Sequence, residues 1–150
     1  MKHLVTVVGL VLILCQVGES TPHRSLLQLE PNAGLKVGFY KGLCPNKKVN
    51  VEATLTTKVQ QEFRKDPTIL PALLRMQFHD CFVQGCDASI LIDGPSSERT
   101  AGPNLSVRGY KLIDTLKDLA EAECPDIVSC ADIIAIATKE AIKLVSVNLY

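Results

Sequence analysis

Apolar residues recur at helical spacing through most of the chain after residue 48, and no other feature restricts the fold as strongly. Between residues 49 and 64 they lie four positions apart, at Val51, Leu55, Val59 and Phe63. This period predicts a helix. Similar patterns predict helices at residues 110–122 and 129–145. A fourth helix is predicted at 68–82, because Asp66-Pro67-Thr68 ends the first helix and can start the next. The segment 84–104 is rich in glycine, proline and serine, which indicates a loop. We therefore expect a mainly α-helical fold.

The N-terminal residues have the pattern of a secretory signal peptide. Lys2 precedes a run of twelve almost uniformly apolar residues, Leu4–Cys15, and small residues follow up to Ser20. This pattern predicts a signal peptide at residues 1–20, because the apolar run is too short to span a bilayer. We expect a loosely ordered leader at 21–35 and a single domain at 36–150.

Export determines how the cysteines are interpreted. Cys15 would leave with the signal peptide, and five cysteines remain, an odd number: Cys44, Cys81, Cys86, Cys124 and Cys130. In an oxidising compartment these are disulfide candidates before they are metal ligands. Cys81 and Cys86 are five residues apart and could close a small ring. A zinc site built from this pair and His79 is disfavoured, because oxidised cysteines cannot bind metal.

Charge and aromatic content exclude some classes of function. The sixteen basic and sixteen acidic residues cancel, and no basic stripe is present. Aromatic residues make up 5% of the chain, with no tryptophan. The sequence therefore indicates no nucleic-acid partner, and its formal neutrality makes attraction to anionic partners a poor guess.

A base and a cation lie on the predicted helix at 68–82. Arg75 and His79 are four residues apart, so their side chains share one face, and Phe78 can add an apolar wall. An imidazole that accepts a proton beside a guanidinium that stabilises negative charge suits cleavage of a polar O–O or C–O bond. The pair alone favours a simpler interpretation, a half-buried histidine and a surface arginine. The residues around the pair favour a site.

Oxygen donors are concentrated immediately after His79. They are the side chains of Asp80, Asp87 and Ser89 and the backbone carbonyls of Val83 and Gly85. Closely spaced oxygen donors are what Ca²⁺ requires. The alternative is that the two aspartates only cap turns.

Two further polar residues follow in the loop. Glu98 adds a carboxylate, and Asn104 could accept a hydrogen bond from the second ring nitrogen of His79 and fix its tautomer. Asn104-Leu105-Ser106 is also an N-glycosylation sequon. The two interpretations of Asn104 exclude each other, because a buried amide cannot carry a glycan.

Four blocks together resemble the class III secretory peroxidases of plants, and they cover about residues 36–143. The blocks are Gly38-Phe39-Tyr40-Lys41-Gly42-Leu43-Cys44-Pro45, the run from Arg75 to Ser89, Arg108-Gly109-Tyr110, and Cys124-Pro125-Asp126-Ile127-Val128-Ser129-Cys130-Ala131-Asp132. The resemblance implies a helical fold of two lobes around haem b, with structural Ca²⁺. It implies a secreted monomer, in the extracellular space, cell wall or vacuole, that uses H₂O₂ to oxidise small phenolic donors.

The resemblance also assigns roles by position. It implies that His79 is the distal acid/base, that Arg75 stabilises the transition state, that Phe78 guards the haem edge, and that Asn104 supports the histidine. All but Asn104 would contact the haem. The implied ligands of the distal Ca²⁺ are Asp80, Val83, Gly85, Asp87 and Ser89, with Glu98 holding that site through water. The implied disulfides are Cys44–Cys124 and Cys81–Cys86, and Cys130 would pair with a later cysteine.

The position of the last residue limits the expected activity. Haem iron in the resembling family is held by a proximal histidine, and His79 is the sole histidine after His23. We therefore expect the N-terminal, distal half of a peroxidase fold, truncated before the proximal lobe. The alternative is a catalytically inactive, truncated Ca²⁺-binding secreted protein. A secreted hydrolase using His79 and Asp80 is disfavoured, since no Gly-x-Ser-x-Gly elbow is present.

Overall fold

The computed structural model describes residues 36–148, with side chains described up to residue 146. The expected signal peptide and leader, residues 1–35, lie outside the described residues. Residues 38–148 belong to one compact unit. Within residues 36–148 the structure contains α- and 3₁₀-helices and no β-strand, so the prediction of a mainly α-helical fold is confirmed.

The four predicted helices are present, and their bounds differ from the predicted ones by one turn or less. They are α1 Val51–Lys65, α2 Ile69–Cys81, α3 Tyr110–Glu123 and α4 Cys130–Asn148. Single-turn 3₁₀-helices occur at Ser89–Leu91, Glu98–Thr100 and Gly102–Asn104, within the segment that was predicted to be loop. Among these described residues, no helix is long and apolar enough to cross a membrane.

Local hydrogen bonds define the helix ends. The side chain of Asn50 accepts a bond from the backbone nitrogen of Ala53, which caps α1. The carboxylate of Asp66 accepts a bond from the backbone nitrogen of Thr68 and forms the turn between α1 and α2. The hydroxyl of Ser129 accepts a bond from the backbone nitrogen of Asp132 and caps α4. Polar residues at these positions start the helices where the sequence predicts them.

The core lies where α4 packs against α1 and α2, and α3 covers α1. Each helix contributes apolar side chains to this core, and Leu55, Leu73, Leu116 and Ile133 are completely buried. In α4, Ala141 is the last fully buried residue that the structure describes, Ile142 is exposed, and Leu144 is partly buried against the core. The final turns of α4 therefore contact the core on one side through Leu144 and expose Ile142 on the other.

Two disulfides connect the helices to the loops. Cys44–Cys124 joins the turns before α1 to the residue after α3, with Cα atoms 4.6 Å apart. Cys81–Cys86 closes a short ring at the end of α2, with Cα atoms 4.0 Å apart. These are the two pairs that the resemblance implied. Cys130 is the free cysteine of the described residues.

Candidate active site

A chain of hydrogen bonds passes through both ring nitrogens of His79. The Nδ1 atom lies 2.5 Å from Oδ1 of Asn104, and Nε2 lies 3.2 Å from Nε of Arg75. A guanidinium nitrogen can only donate, so Nε2 is the acceptor. Nδ1 therefore carries the proton and donates the hydrogen bond to Oδ1 of Asn104. This assignment leaves the basic lone pair of the ring on Nε2, beside the cation.

The orientation of Asn104 follows from its second contact. Its Nδ2 donates to the backbone oxygen of Glu98 at 2.7 Å. A backbone carbonyl can only accept, so the amide nitrogen must face Glu98 and the amide oxygen must face His79. The 3₁₀-helices Glu98–Thr100 and Gly102–Asn104 hold both groups. The loop thereby fixes one tautomer of the histidine.

Contacts with the same loop also hold Arg75. Its Nη2 donates to the hydroxyl of Ser106 at 2.8 Å and to the backbone oxygen of Pro103 at 3.4 Å. Its Nη1 donates to the backbone oxygen of Ser106 at 3.4 Å. Each end of the guanidinium is therefore anchored on residues that flank Asn104, and the cation is fixed beside Nε2 of His79 rather than free in solvent.

Phe78 forms an apolar wall beside this pair. Its ring centroid lies 5.8 Å from that of His79 in an edge-to-face arrangement and 4.4 Å from that of Phe82. The Phe78 side chain is 53% exposed. A base, a cation and two aromatic rings are thus presented on one open surface of α2. A large exposed aromatic group next to a polar pair is typical of a surface that binds an apolar partner.

A buried carboxylate lies on the opposite side of the same helix end. Asp80 is 1% exposed, and its Oδ2 accepts a bond from the backbone nitrogen of Ala88 at 3.2 Å. Its Oδ1 is buried without a hydrogen-bond partner. Burial raises the pKa of Asp80, and the bond from Ala88 opposes that change. A buried oxygen without a partner has the chemistry of a metal ligand.

The remaining predicted calcium ligands follow in a tight turn. The backbone adopts the left-handed conformation at Gln84, Gly85 and Ala88. The carboxylate of Asp87 accepts a bond from the backbone nitrogen of Ser89 at 3.0 Å, and hydrogen bonds from Ser89 lower the pKa of that carboxylate. Val83 is exposed. Within residues 36–148, no three histidine, cysteine or acidic side chains form a metal-binding cluster, so a Ca²⁺ site here would depend on the backbone carbonyls as well.

Glu98 connects the two regions, and its link to Asn104 was not predicted from the sequence. Its carboxylate accepts a bond from the Ser89 hydroxyl at 2.8 Å, while its backbone oxygen accepts the bond from Asn104. The predicted calcium turn and the histidine are therefore linked through one residue. Sequence reasoning also missed Ser106 as a partner of Arg75, although Ser106 was identified as the third residue of the sequon.

Comparison with known proteins identifies the family. The sequence model of the family described as Peroxidase matches residues 55–150. Peroxidase 71 of Arabidopsis thaliana is 50% identical over 114 residues, and Peroxidase 28 of the same plant is 54% identical over 115 residues. Peroxidase N1 of Nicotiana tabacum is 49% identical over 109 residues. These alignments cover 76%, 75% and 73% of this chain and 34%, 35% and 32% of the respective relatives.

The chain therefore belongs to the peroxidase family. Its relatives identify it as a member of the class III peroxidases of plants, as the sequence motifs indicated. The chain spans about one third of the length of these curated relatives.

Proposed function

We propose that the protein to which this chain belongs is a haem peroxidase that reduces H₂O₂ and oxidises small phenolic donors. The observation that carries the proposal is the chain of hydrogen bonds from Arg75 through His79 to Asn104. It gives an imidazole of defined tautomer whose basic nitrogen lies against a fixed cation. Membership of the peroxidase family supplies the reaction class.

Each of the three hydrogen-bonded residues has a separate role in peroxide cleavage. His79 takes a proton at Nε2 from one peroxide oxygen and returns it to the other, the leaving oxygen. Arg75 stabilises the negative charge that develops on the leaving oxygen. Asn104 holds the ring so that Nε2, rather than Nδ1, accepts the proton. His79 and Arg75 exchange their mutual hydrogen bond for bonds to the substrate.

The surface beside His79 suits haem b. Phe78 and Phe82 offer exposed aromatic surface next to the base and cation, and a flat apolar group bound there would exclude water from His79. The haem supplies the redox chemistry when it is bound. Arg75, Phe78 and His79 are the residues of this chain that would contact it.

Ca²⁺ is the proposed occupant of the turn after α2. Asp80 supplies a buried oxygen without a hydrogen bond, and Asp87, Ser89 and the carbonyls of Val83 and Gly85 supply further oxygens. Glu98, which is bonded to Ser89, would hold the site from the second layer through water. These donors are all hard oxygens, which fits Ca²⁺.

The test compares peroxide-dependent oxidation of guaiacol, a simple phenol, by variants of the protein to which this chain belongs, each reconstituted with haemin and Ca²⁺. We expect His79→Leu to lower the rate by roughly 10²- to 10⁴-fold and Arg75→Leu by roughly 10²- to 10³-fold. Arg64→Leu is the matched control, because Arg64 is an exposed arginine of α1 remote from these contacts. Equal rates for His79→Leu and the unsubstituted protein would overturn the assignment of His79.

The second candidate function is a secreted Ca²⁺-binding protein without peroxidase activity. The buried, unpartnered oxygen of Asp80 favours it, because a cation would satisfy that oxygen without any haem. Rates no greater than those of free haemin, combined with Ca²⁺ binding that depends on Asp80, would support this candidate over the first.

A further inference from the structure

The structure describes all three residues of the Asn104-Leu105-Ser106 sequon. The side chains of Asn104 and Ser106, which glycosylation requires, already make hydrogen bonds in the folded chain. Asn104 ends the 3₁₀-helix Gly102–Asn104. Its backbone nitrogen donates to Ala101 at 2.8 Å, and its backbone oxygen accepts from Val107 at 2.9 Å. Leu105, the position at which almost any residue is accepted, is 73% exposed, Ser106 is also exposed, and Asn104 is half-buried. The sequon therefore lies at the surface, and hydrogen bonds of Asn104 and Ser106, rather than burial, decide whether it can be modified.

The amide of Asn104 cannot react while its contacts persist. Nδ2 donates to Glu98 at 2.7 Å, and Oδ1 lies 2.5 Å from the imidazole of His79. Glycosylation joins Nδ2 to the anomeric carbon of a sugar and breaks the bond from that carbon to the diphosphate of a lipid-linked oligosaccharide. One proton of Nδ2 is released to a base. The nitrogen must therefore be free to approach the donor.

A glycan on Asn104 would also occupy the position of His79. A secondary amide prefers the trans arrangement, in which the new substituent on nitrogen lies on the same side of the C–N bond as the oxygen. The first sugar would thus lie beside Oδ1, where the imidazole now contacts it. The hydroxyl of Ser106, which a sequon must offer, is bonded to Nη2 of Arg75 at 2.8 Å.

We propose that Asn104 is an N-glycosylation acceptor only in the unfolded chain, and that glycosylation and the His79–Asn104 contact are mutually exclusive. Class III plant peroxidases are secreted, so the chain meets the transferase before or while it folds. Once the loop over residues 98–106 has folded, Asn104 can no longer be glycosylated. A chain that is modified first folds without the support for His79.

The test uses the full chain produced without glycans, in two forms. One is folded and oxidised, and the other is reduced and alkylated so that it stays unfolded. Each is incubated with purified oligosaccharyltransferase and its lipid-linked donor, and occupancy of Asn104 is measured by peptide mass spectrometry. We expect modification of the unfolded form and at least a tenfold lower rate for the folded form.

Lys48→Thr provides the matched control, because it creates a sequon at Asn46 in the same molecule. Asn46 is exposed, and its side chain makes one hydrogen bond in the described region, through Oδ1 to the backbone nitrogen of Lys48. Its amide nitrogen is thus available. We expect the folded variant to be modified at Asn46 and to remain unmodified at Asn104.

Three results would overturn the proposal. They are equal modification of Asn104 in both forms, no modification in either form, and resistance of Asn46 in the folded variant, which would show that protection is not specific to Asn104. A second measurement examines the modified chain after refolding. The unmodified chain is expected to show a downfield NMR signal from the Nδ1 proton of His79, and the refolded glycosylated chain is expected to lack it. If the signal persisted, glycosylation and the His79–Asn104 contact would not be mutually exclusive. None of these readouts depends on peroxidase turnover, so the proposal can fail while the proposed function stands.

Discussion

The two sides of α2 differ in how their residues are held. On one side Leu73, Met76 and Asp80 are buried against the other helices and the turn after Cys81. On the other side Arg75 and Phe78 are exposed. Arg75 and the half-buried His79 are held by the loop over residues 98–106 and by each other, and Phe78 packs against His79 and Phe82.

This difference separates stability from chemistry within a single helix. The buried side contributes to folding through the apolar surface that it removes from water. The open side buries little apolar surface, and its residues contribute charge and defined geometry to the candidate site instead. Substitutions on the two sides should therefore affect different measurements, even when the substituted residues are adjacent in sequence.

The largest expected effect comes from neighbouring leucines on the two sides. Leu73 is 0% exposed and Leu74 is 50% exposed. We expect Leu73→Ala to lower the free energy of unfolding by about 2 to 5 kcal/mol, because it leaves a cavity in the core. Leu74→Ala should change it by less than about 1 kcal/mol. Urea denaturation at constant m-value gives both numbers. Equal losses would show that the open side also supports the fold.

A smaller effect is expected from the buried carboxylate of Asp80. Ca²⁺ at a hundred times its dissociation constant should raise the free energy of unfolding by about 2.7 kcal/mol. Asp80→Asn should abolish this increase, because the amide replaces an oxygen ligand by a hydrogen-bond donor. The measurement compares denaturation with Ca²⁺ and with a chelator.

Asp118→Asn is the matched control for the calcium experiment. Asp118 is an exposed carboxylate on α3, so the substitution makes the same charge change away from the turn. It should retain the full response to Ca²⁺. A calcium response in Asp80→Asn equal to that of the control would exclude Asp80 as a ligand and would leave its buried oxygen as a feature of the fold alone.

The helices could be predicted from the sequence because their cause is local and repeated. Val51, Leu55 and Val59 follow one helical stripe and are all buried, and Asn50 and Ser129 are polar residues that cap helices. The exposure of Ile142 on α4 could not be predicted, since it depends on how far the neighbouring helices extend.

The candidate site was only partly predictable. Arg75 and His79 share a helical face by spacing alone, and the structure joins them. Asn104 was placed near the histidine by resemblance. The contacts of Ser106 with Arg75 and of the Glu98 carbonyl with Asn104 were not predicted. Both depend on the path of a loop with three 3₁₀ turns, and sequence periodicity carries no information about that path.

The smallest expected effect concerns the turn that leads into α2. Hydrogen bonds from Thr68 and then from Arg108 hold the pKa of Asp66 below its ordinary value of 3.8. A carboxylate with a lowered pKa in the folded state adds stability above its unfolded pKa, and that contribution is lost as the pH falls through the folded pKa. Asp66→Asn keeps an oxygen for the backbone nitrogen of Thr68 but removes the charge facing Arg108. The variant should therefore lose less stability than the unsubstituted chain as the pH falls below about 4.

The measurement for Asp66 is the free energy of unfolding against pH, with Asp114→Asn as control. Asp114 is an exposed carboxylate of α3, so its replacement should leave the acid slope unchanged. If Asp66→Asn and Asp114→Asn follow the same slope, the contacts of Asp66 contribute nothing to stability. Only burial would then position α2, and the ion pair at its start would be a solvated surface contact. If the slopes differ, the start of α2 is held by charge in the same way as its open side, and the contrast between the two sides extends to the end of the helix.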